Sequence, residues 1–294
     1  MEIVLRDGVE LKEVNVVSRK LGTMKLRNSV MNEDMISSAE LSRAACCNLG
    51  ESFVTNPSVD VSYSDAATGA KQIKLLGLSG TYVQMLTENI PNYRGAAAPY
   101  GLGYVPGPWM QSIQVSKGIS SVKNGYEAIT GQINVEFKKP QLPEADWVSA
   151  NLFASTTNRY EANADATLNE QFVAFRVNPD LIQFTGVHIS MRGLSTATSL
   201  GKSNNNADTP LKASDKEAVP GAYVQYTLNL NDQWMLMAGL RGDYSSKHGF
   251  FVTPRAHLKY NPNDYVHFRL SAGKGYRTNH VLAENNYLLS SSRK

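Results

Sequence analysis

A chain of 294 residues that is 42% hydrophobic and 19% charged has room for one large domain or two ordinary ones, but both fractions are low for a single well-filled core. The net charge of +3 is spread without any basic run, which leaves nucleic-acid binding no electrostatic footprint. The two cysteines, Cys46 and Cys47, are neighbours that do not readily close an unstrained disulfide, and no His or Cys stands at zinc spacing from them.

In chain order, the opening MEIVLRDGVELKEV lacks the charged and apolar regions of a signal peptide, and Val9–Val17 (VELKEVNVV) reads as one extended piece. Residues 34–53 predict a helix: Met35, Ile36, Leu41, Ala44, Ala45 and Leu49 share one face, and Gly50 can end it. From 54 to 140, short strands such as VDVSY and QIKLLGL alternate with Gly/Pro loops. The loop 92–109, NYRGAAAPYGLGYVPGPW, is the most aromatic segment, and Pro140 and Pro143 mark a boundary. No apolar run approaches the ~20 residues of a spanning helix.

Beyond Asp146 the texture changes to sustained alternation. Tyr160, Ala162, Ala164, Ala166 and Leu168 oppose Glu161, Asn163, Asp165 and Thr167; Ala222, Val224, Tyr226, Leu228 and Leu230 oppose Tyr223, Gln225, Thr227 and Asn229. In 251–261, Val252, Pro254, Ala256, Leu258 and Tyr260 oppose Thr253, Arg255, His257, Lys259 and Asn261. Val266, Phe268, Leu270 and Ala272 oppose His267, Arg269 and Ser271. The turns LNLNDQW and YNPNDY are tight, whereas 193–220 and 242–251 read as long polar loops. An up-and-down membrane barrel has this texture, and a soluble sandwich also alternates. No catalytic motif appears: Gly101-Leu-Gly103-Tyr-Val-Pro106 ends in Pro where a dinucleotide fingerprint needs Gly, and Gly77-Leu-Ser79-Gly80 lacks the spacing of a nucleophile elbow. An enzyme is not expected.

The stretch 113–137, IQVSKGISSVKNGYEAITGQINVEF, spends Gly118, Gly125 and Gly131 within fourteen residues. The order of Ile113–Gly118, Ser120–Ser121, Gly125–Tyr126, Ile129–Val135 and the basic exit Lys138–Lys139 resembles the end of the plug domain in TonB-dependent outer-membrane receptors. Asp65–Gly69, Ile73–Gly77 and Glu88–Pro91 are similar to an earlier plug element. VELKEVNVV is similar to a TonB box, and SAGKGYRTNHVLAENNYL (271–288) resembles a barrel strand and loop in which G(Y/F)R recurs.

The resemblance implies an α+β plug domain followed by antiparallel membrane β-barrel strands. The family's barrel has about 22 strands around its plug. The 151 residues after Pro143 suffice for roughly eight, so an incomplete barrel is expected, as a fragment or a shortened gene product. The implied domains are an arm at 1–20, a plug at 21–140 and a partial barrel at 141–294. The implied function is energised uptake of a scarce nutrient across the outer membrane of a Gram-negative envelope, most readily a ferric siderophore or other iron chelate or a cobalamin-like ligand. Partners are TonB with its inner-membrane energising complex and the outer-membrane lipids. No cofactor and no metal site are implied. Leu11, Glu13, Val14, Val16 and Val17 are the candidate TonB contacts, as a strand added to a sheet edge. Tyr93, Arg94, Tyr100, Tyr104 and Trp109 are candidate ligand contacts, because aromatics with a cation suit an anionic aromatic chelate. Gly77, Gly118, Gly125 and Gly131 are candidate bends where plug backbone nears the barrel wall. Arg255, His257, Arg269, Lys274 and Arg277 fall where lumen or loop charges are expected. A non-transporting outer-membrane binding or adhesion protein and a receptor remnant stay open as alternatives.

Overall fold

The structure, a computed structural model, describes residues 23–44, 48–65, 70–94, 97–139, 148–154, 160–168, 171–177, 199–201, 212–214, 218–230, 233–263 and 265–278. The candidate TonB contacts Leu11, Glu13, Val14, Val16 and Val17 and the 140–147 boundary lie outside these residues.

The amino-terminal body is built on strands β1 (Thr23–Lys25), β2 (Asn32–Ser37), β3 (Val59–Asp65), β4 (Ala70–Leu75), β5 (Leu78–Ser79), β6 (Val83–Thr87), β7 (Ile90–Pro91), β8 (Met110–Lys117) and β9 (Gly131–Phe137), with short helices α1 (Ser38–Arg43) and α2 (Ala98–Tyr104). Its main sheet runs β1-β2-β8-β9-β6-β7, and β3-β4-β5 form a second sheet. β6 and β9 pair in parallel and the neighbouring strands antiparallel. Period-2 alternation sends Ile113, Val115, Ile133 and Val135 to one face, each fully buried against Leu49, Phe53, Leu75 and Leu102. The other face carries Gln84, Ser116, Gln132 and Asn134, polar yet also buried. That burial is made tolerable by hydrogen bonds: Gln84 donates to the Asn124 carbonyl at 2.6 Å, and Asn124 donates to Gln132 at 3.1 Å.

The helix expected over 34–53 is shorter and starts later. Met35 and Ile36 lie in β2, opposite Gln114 and Ile113 of β8, and the helix covers only Ser38–Arg43. Ser37 is the reason, since its hydroxyl accepts from the Glu40 N–H and caps a new helix where the strand stops. Burying Ile36 against Ile113 outweighs the helical spacing of the apolar residues. The 92–109 loop is partly helical as well, with Pro99 in the first turn of α2.

The carboxy-terminal strands are β10 (Val148–Ala154), β11 (Tyr160–Leu168), β12 (Gln171–Val177), β13 (Ser199–Gly201), β14 (Lys212–Ser214), β15 (Gly221–Asn229), β16 (Trp234–Ser245), β17 (Gly249–Tyr260) and β18 (Phe268–Gly273). They form the separate sheets β10-β11-β12, β13-β14 and β15-β16-β17-β18. Among the described residues nothing pairs one sheet with the next, and these strands do not close a barrel. The long loop expected at 242–251 is instead a turn of residues 246–248 between β16 and β17. Ser245 Oγ accepts from the N–H groups of Lys247 and His248 at 3.1 and 3.2 Å and closes the turn. Asp243 and Ser245, polar enough to look like loop, are buried strand residues.

The four-stranded sheet is inside out. Thr253, Arg255, His257 and Lys259 are buried on its inner face, whereas Leu240, Phe250 and Leu270 (67% exposed) lie outside. An outer row of Leu228, Leu236, Leu258 and Leu270 crosses all four strands in register. Trp234 stacks on Tyr260 at 4.1 Å and Tyr260 on Phe268 at 6.3 Å at one end, while Tyr244 and Phe250 are exposed at the other. Trp234 and Tyr244 are ten residues apart along β16. At ~3.3 Å per residue and a tilt of ~40°, that spans a height of about 25 Å, the apolar thickness between the aromatic girdles of a membrane barrel.

Candidate functional site at the seam between body and wall

Alternation along β15–β18 turns one cross-strand row inward: Gln225, Gly239, Arg255 and Gly273. The segment 120–128 of the body rests on this row. Ser121 Oγ donates to Gln225 Oε1 at 2.6 Å, and an added Cβ at Gly239 would stand 2.4 Å from Val122 Cγ2. Arg255 spreads its guanidinium beneath the segment. One terminal nitrogen donates to the Ser120 carbonyl (3.1 Å), the Ser120 hydroxyl (3.3 Å) and the Ser121 carbonyl (3.0 Å). The other donates to the carbonyls of Tyr126 (3.0 Å) and Ala128 (3.3 Å), and Nε donates to the Lys274 carbonyl at 3.2 Å.

A second inward row, Met235, Lys259 and Arg269, holds the 26–29 turn. Lys259 donates to the Arg27 carbonyl, and Arg269 donates to the carbonyls of Leu26 and Ser29 at 3.3 and 3.4 Å. Both rows present wall cations to backbone oxygens of the body. Such contacts depend on the path of the main chain and not on which side chains it carries.

Above the Arg255 row the seam opens into a cavity of about 240 Å³ lined by Tyr126, His248, Phe251, Tyr276, Arg277 and Thr278. Phe251 meets Tyr126 edge-on at 5.0 Å and Tyr276 at 4.8 Å. The Tyr276 N–H donates to the same Tyr126 carbonyl that Arg255 holds, at 3.0 Å. Arg277 lies over the Tyr82 ring at 5.7 Å. Three rings and two basic side chains around one opening can hold a flat, electron-rich, negatively charged group.

Of the candidate ligand residues, Arg94 touches the lining residue Tyr126. It donates to the Tyr126 hydroxyl at 3.2 Å and pairs with Glu127 at 2.5 Å. Burial opposes its charge, but the Glu127 carboxylate and Tyr126 together outweigh that and hold its pKa above the ordinary value. Tyr93 packs against the core, its ring lying so close over Gly101 that a Cβ there would meet it at 2.2 Å. Burial raises its phenol pKa, against a hydrogen bond with Thr87. Trp109 is half-buried, and Tyr100 and Tyr104 lie on α2, with side chains outside those described. Neither Tyr93 nor Arg94 lines the cavity, and Arg94 is tied to it through the Tyr126 hydroxyl. Nothing in the sequence points to His248 or Phe251, whereas Tyr126 and Tyr276 stand within the stretches that carry the family resemblance, though without a ligand role of their own.

Gly77, Gly118, Gly125 and Gly131 all have positive φ, as tight bends require. The segment that holds Gly125 rests on the wall, where Arg255 and Tyr276 donate to the carbonyl of the adjacent Tyr126, but the groups an added Cβ would meet at Gly125 and Gly131 lie within the body. A Cβ at Gly131 would lie 2.2 Å from the Ser116 carbonyl oxygen and one at Gly125 would lie 2.8 Å from Gln84 Nε2, both within the body; Gly77 and Gly118 have open space. The glycines that admit close contact across the seam belong to the wall: Gly239 against Val122, and Gly275, where a Cβ would lie 2.8 Å from Ile129 Cγ1.

Among the described residues no His, Cys, Asp or Glu cluster could hold a metal ion, and no helix is long and apolar enough to cross a membrane, a test that does not bear on strands. No curated protein matches the sequence. Among solved structures, the siderophore receptor PirA of Pseudomonas aeruginosa is similar at 14% identity and a TM-score of 0.51, covering 85% of this chain and 65% of that one. PirA of Acinetobacter baumannii is similar at 12% identity and a TM-score of 0.53, covering 84% and 61%. The chain thus spans less than two thirds of either receptor, and likeness at these identities speaks for the fold. The family model for the TonB dependent receptor-like β-barrel matches residues 58–289, well over half of the chain. With an inside-out strand wall docked on a sheet body, the chain belongs to the TonB-dependent receptors, a family of outer-membrane transport receptors and not of enzymes.

Proposed function

We propose that this chain supplies the plug and part of the wall of an outer-membrane importer that takes up a ferric siderophore or similar anionic iron chelate with energy delivered by TonB. The observation that carries the reading is the wall's inverted burial, with Arg255, His257 and Lys259 facing the body and Leu240, Phe250 and Leu270 facing out. A surrounding of lipid makes that arrangement favourable. In this reading residues 1–20 are the TonB-recruiting arm, 21–140 the plug and 141–294 the partial barrel. Leu11, Glu13, Val14, Val16 and Val17 add a strand to TonB. The chelate enters between Tyr126, Phe251 and Tyr276, with Arg277 and His248 favouring an anionic ligand over a cobalamin-like one, and Arg94, Tyr93, Tyr100, Tyr104 and Trp109 support the plug side of the approach.

The test uses the full chain in detergent, with two separate readouts. Replacing Val14 and Val16 by proline removes the main-chain donors and the extended geometry, so capture of the TonB periplasmic domain is expected to fail while ferric-catecholate binding persists. Undiminished TonB capture by the double-proline variant would refute the coupling role.

A further inference from the structure

We propose that Arg255 is the positioning residue of the seam cavity: from inside the wall it fixes the 120–128 segment, and with it Tyr126, in the place where a ligand meets Phe251 and Tyr276. The ligand part of this proposal rests on the reading above; the docking part does not.

Arg255 does not line the cavity. It sits four residues along β17 from Phe251, on the same face, and is 3% exposed. Its guanidinium spends its donors on five carbonyls and one hydroxyl, without a carboxylate among those acceptors. A cation placed merely to balance charge would face an acid, as Arg241 does with Asp243 at 2.7 Å on the same inner face. The acceptors come from both ends of the segment, Ser120 and Ser121 at one and Tyr126 and Ala128 at the other. A planar fork can span that separation, whereas the point charge of lysine cannot. The Tyr126 carbonyl is the common node, because it also accepts from Tyr276, and Lys274, two residues earlier in the chain, is tied to Arg255 through its own carbonyl. One side chain therefore registers the plug ring against both wall rings.

The seam offers a direct readout. A Cβ at Gly239 would stand 3.4 Å from Val122 Cβ, close to the ~3.5–4.5 Å of a disulfide. In the full chain, Val122→Cys with Gly239→Cys is expected to cross-link rapidly under mild oxidant, and Arg255→Met to slow that at least tenfold. Ferric 2,3-dihydroxybenzoate, followed by quenching of tyrosine and tryptophan fluorescence, should bind at least tenfold more weakly to Arg255→Met. Closing the disulfide in that background should restore most of the affinity, which loss of general stability would not do. Equal cross-linking rates with and without Arg255 would overturn the docking role. Weakened docking with unchanged affinity would overturn the positioning role. If the chain with Arg255 intact ignores the probe, the ligand reading fails while the cross-link still decides what Arg255 does. Should Arg255→Met fail to accumulate, Arg255→Lys keeps the charge and loses the fork, and the same slowing is expected.

Discussion

The amino-terminal body and the β15–β18 wall use the same period-2 alternation with opposite sign. In the body, Ile113, Val115, Ile133 and Val135 turn inward and are fully buried. In the wall, Thr253, Arg255, His257 and Lys259 turn inward, and Leu240, Phe250 and Leu270 turn out. The difference teaches that hydrophobicity orders a strand only relative to what surrounds it. The body is arranged for water and the wall for lipid, and they meet through polar faces bridged by hydrogen bonds to backbone. The strongest way to break the comparison is in the body's core. Phe53→Ala, at a fully buried ring, should cost about 3–5 kcal/mol in chemical denaturation of the body.

A sharper test substitutes two leucines that are comparably exposed. Leu240 (50%) lies between the aromatic rows of the wall, and Leu78 (54%) lies in the body's second sheet. Leu240→Lys should cost about 2–4 kcal/mol in lipid-bilayer refolding, as a charge facing hydrocarbon does. Leu78→Lys should stay within about 0.5 kcal/mol, as at an ordinary wet surface. Equal costs at the two positions would mean that the wall does not face lipid. Within the body, Gly131→Ala should cost about 1–3 kcal/mol by pressing a methyl into the Ser116 carbonyl, and thermal melts would read it.

The sequence made the wall more legible than the seam. The alternating run at 160–168 is β11 as found, and 222–230 and 251–261 differ from β15 and β17 by a residue or two. β18 starts later than expected because Asn263 Oδ1 accepts from the N–H groups of Tyr265 and Val266 and bends the chain there. The 242–251 hairpin misled for the reason that makes the wall unusual: inward strand residues are polar and resemble loop. Residues 34–37 misled because their strand character comes from pairing with β8, a distant segment that no local period encodes. The cavity was hidden for the same reason. Tyr126, Phe251 and Tyr276 become neighbours only once the 120–128 segment lies on the Arg255 row.

The smallest expected effect lies at the lower docking row, where Glu33 of β2 is close enough to Arg269 of β18 to feel its charge. Burial pushes the Glu33 pKa above the ordinary carboxylate value of 4.5, and the Ser29 hydrogen bond and the Arg269 charge pull it back only in part. Below 4.5 the side chain is neutral whether folded or unfolded, and the fold carries no penalty. As pH rises through the higher folded value, the folded state must hold a charge in a poorly solvated seam, so this group's contribution to stability is lost. Glu33→Gln should therefore gain stability relative to the parent chain between pH 4 and pH 8, read as a widening difference in thermal midpoint. Adding Arg269→Met to the parent should enlarge that loss, because a wall cation that eases the charge is gone. Parallel pH profiles for parent and Glu33→Gln would mean that water reaches the 26–33 turn freely, and that the wall holds it more loosely than it holds 120–128.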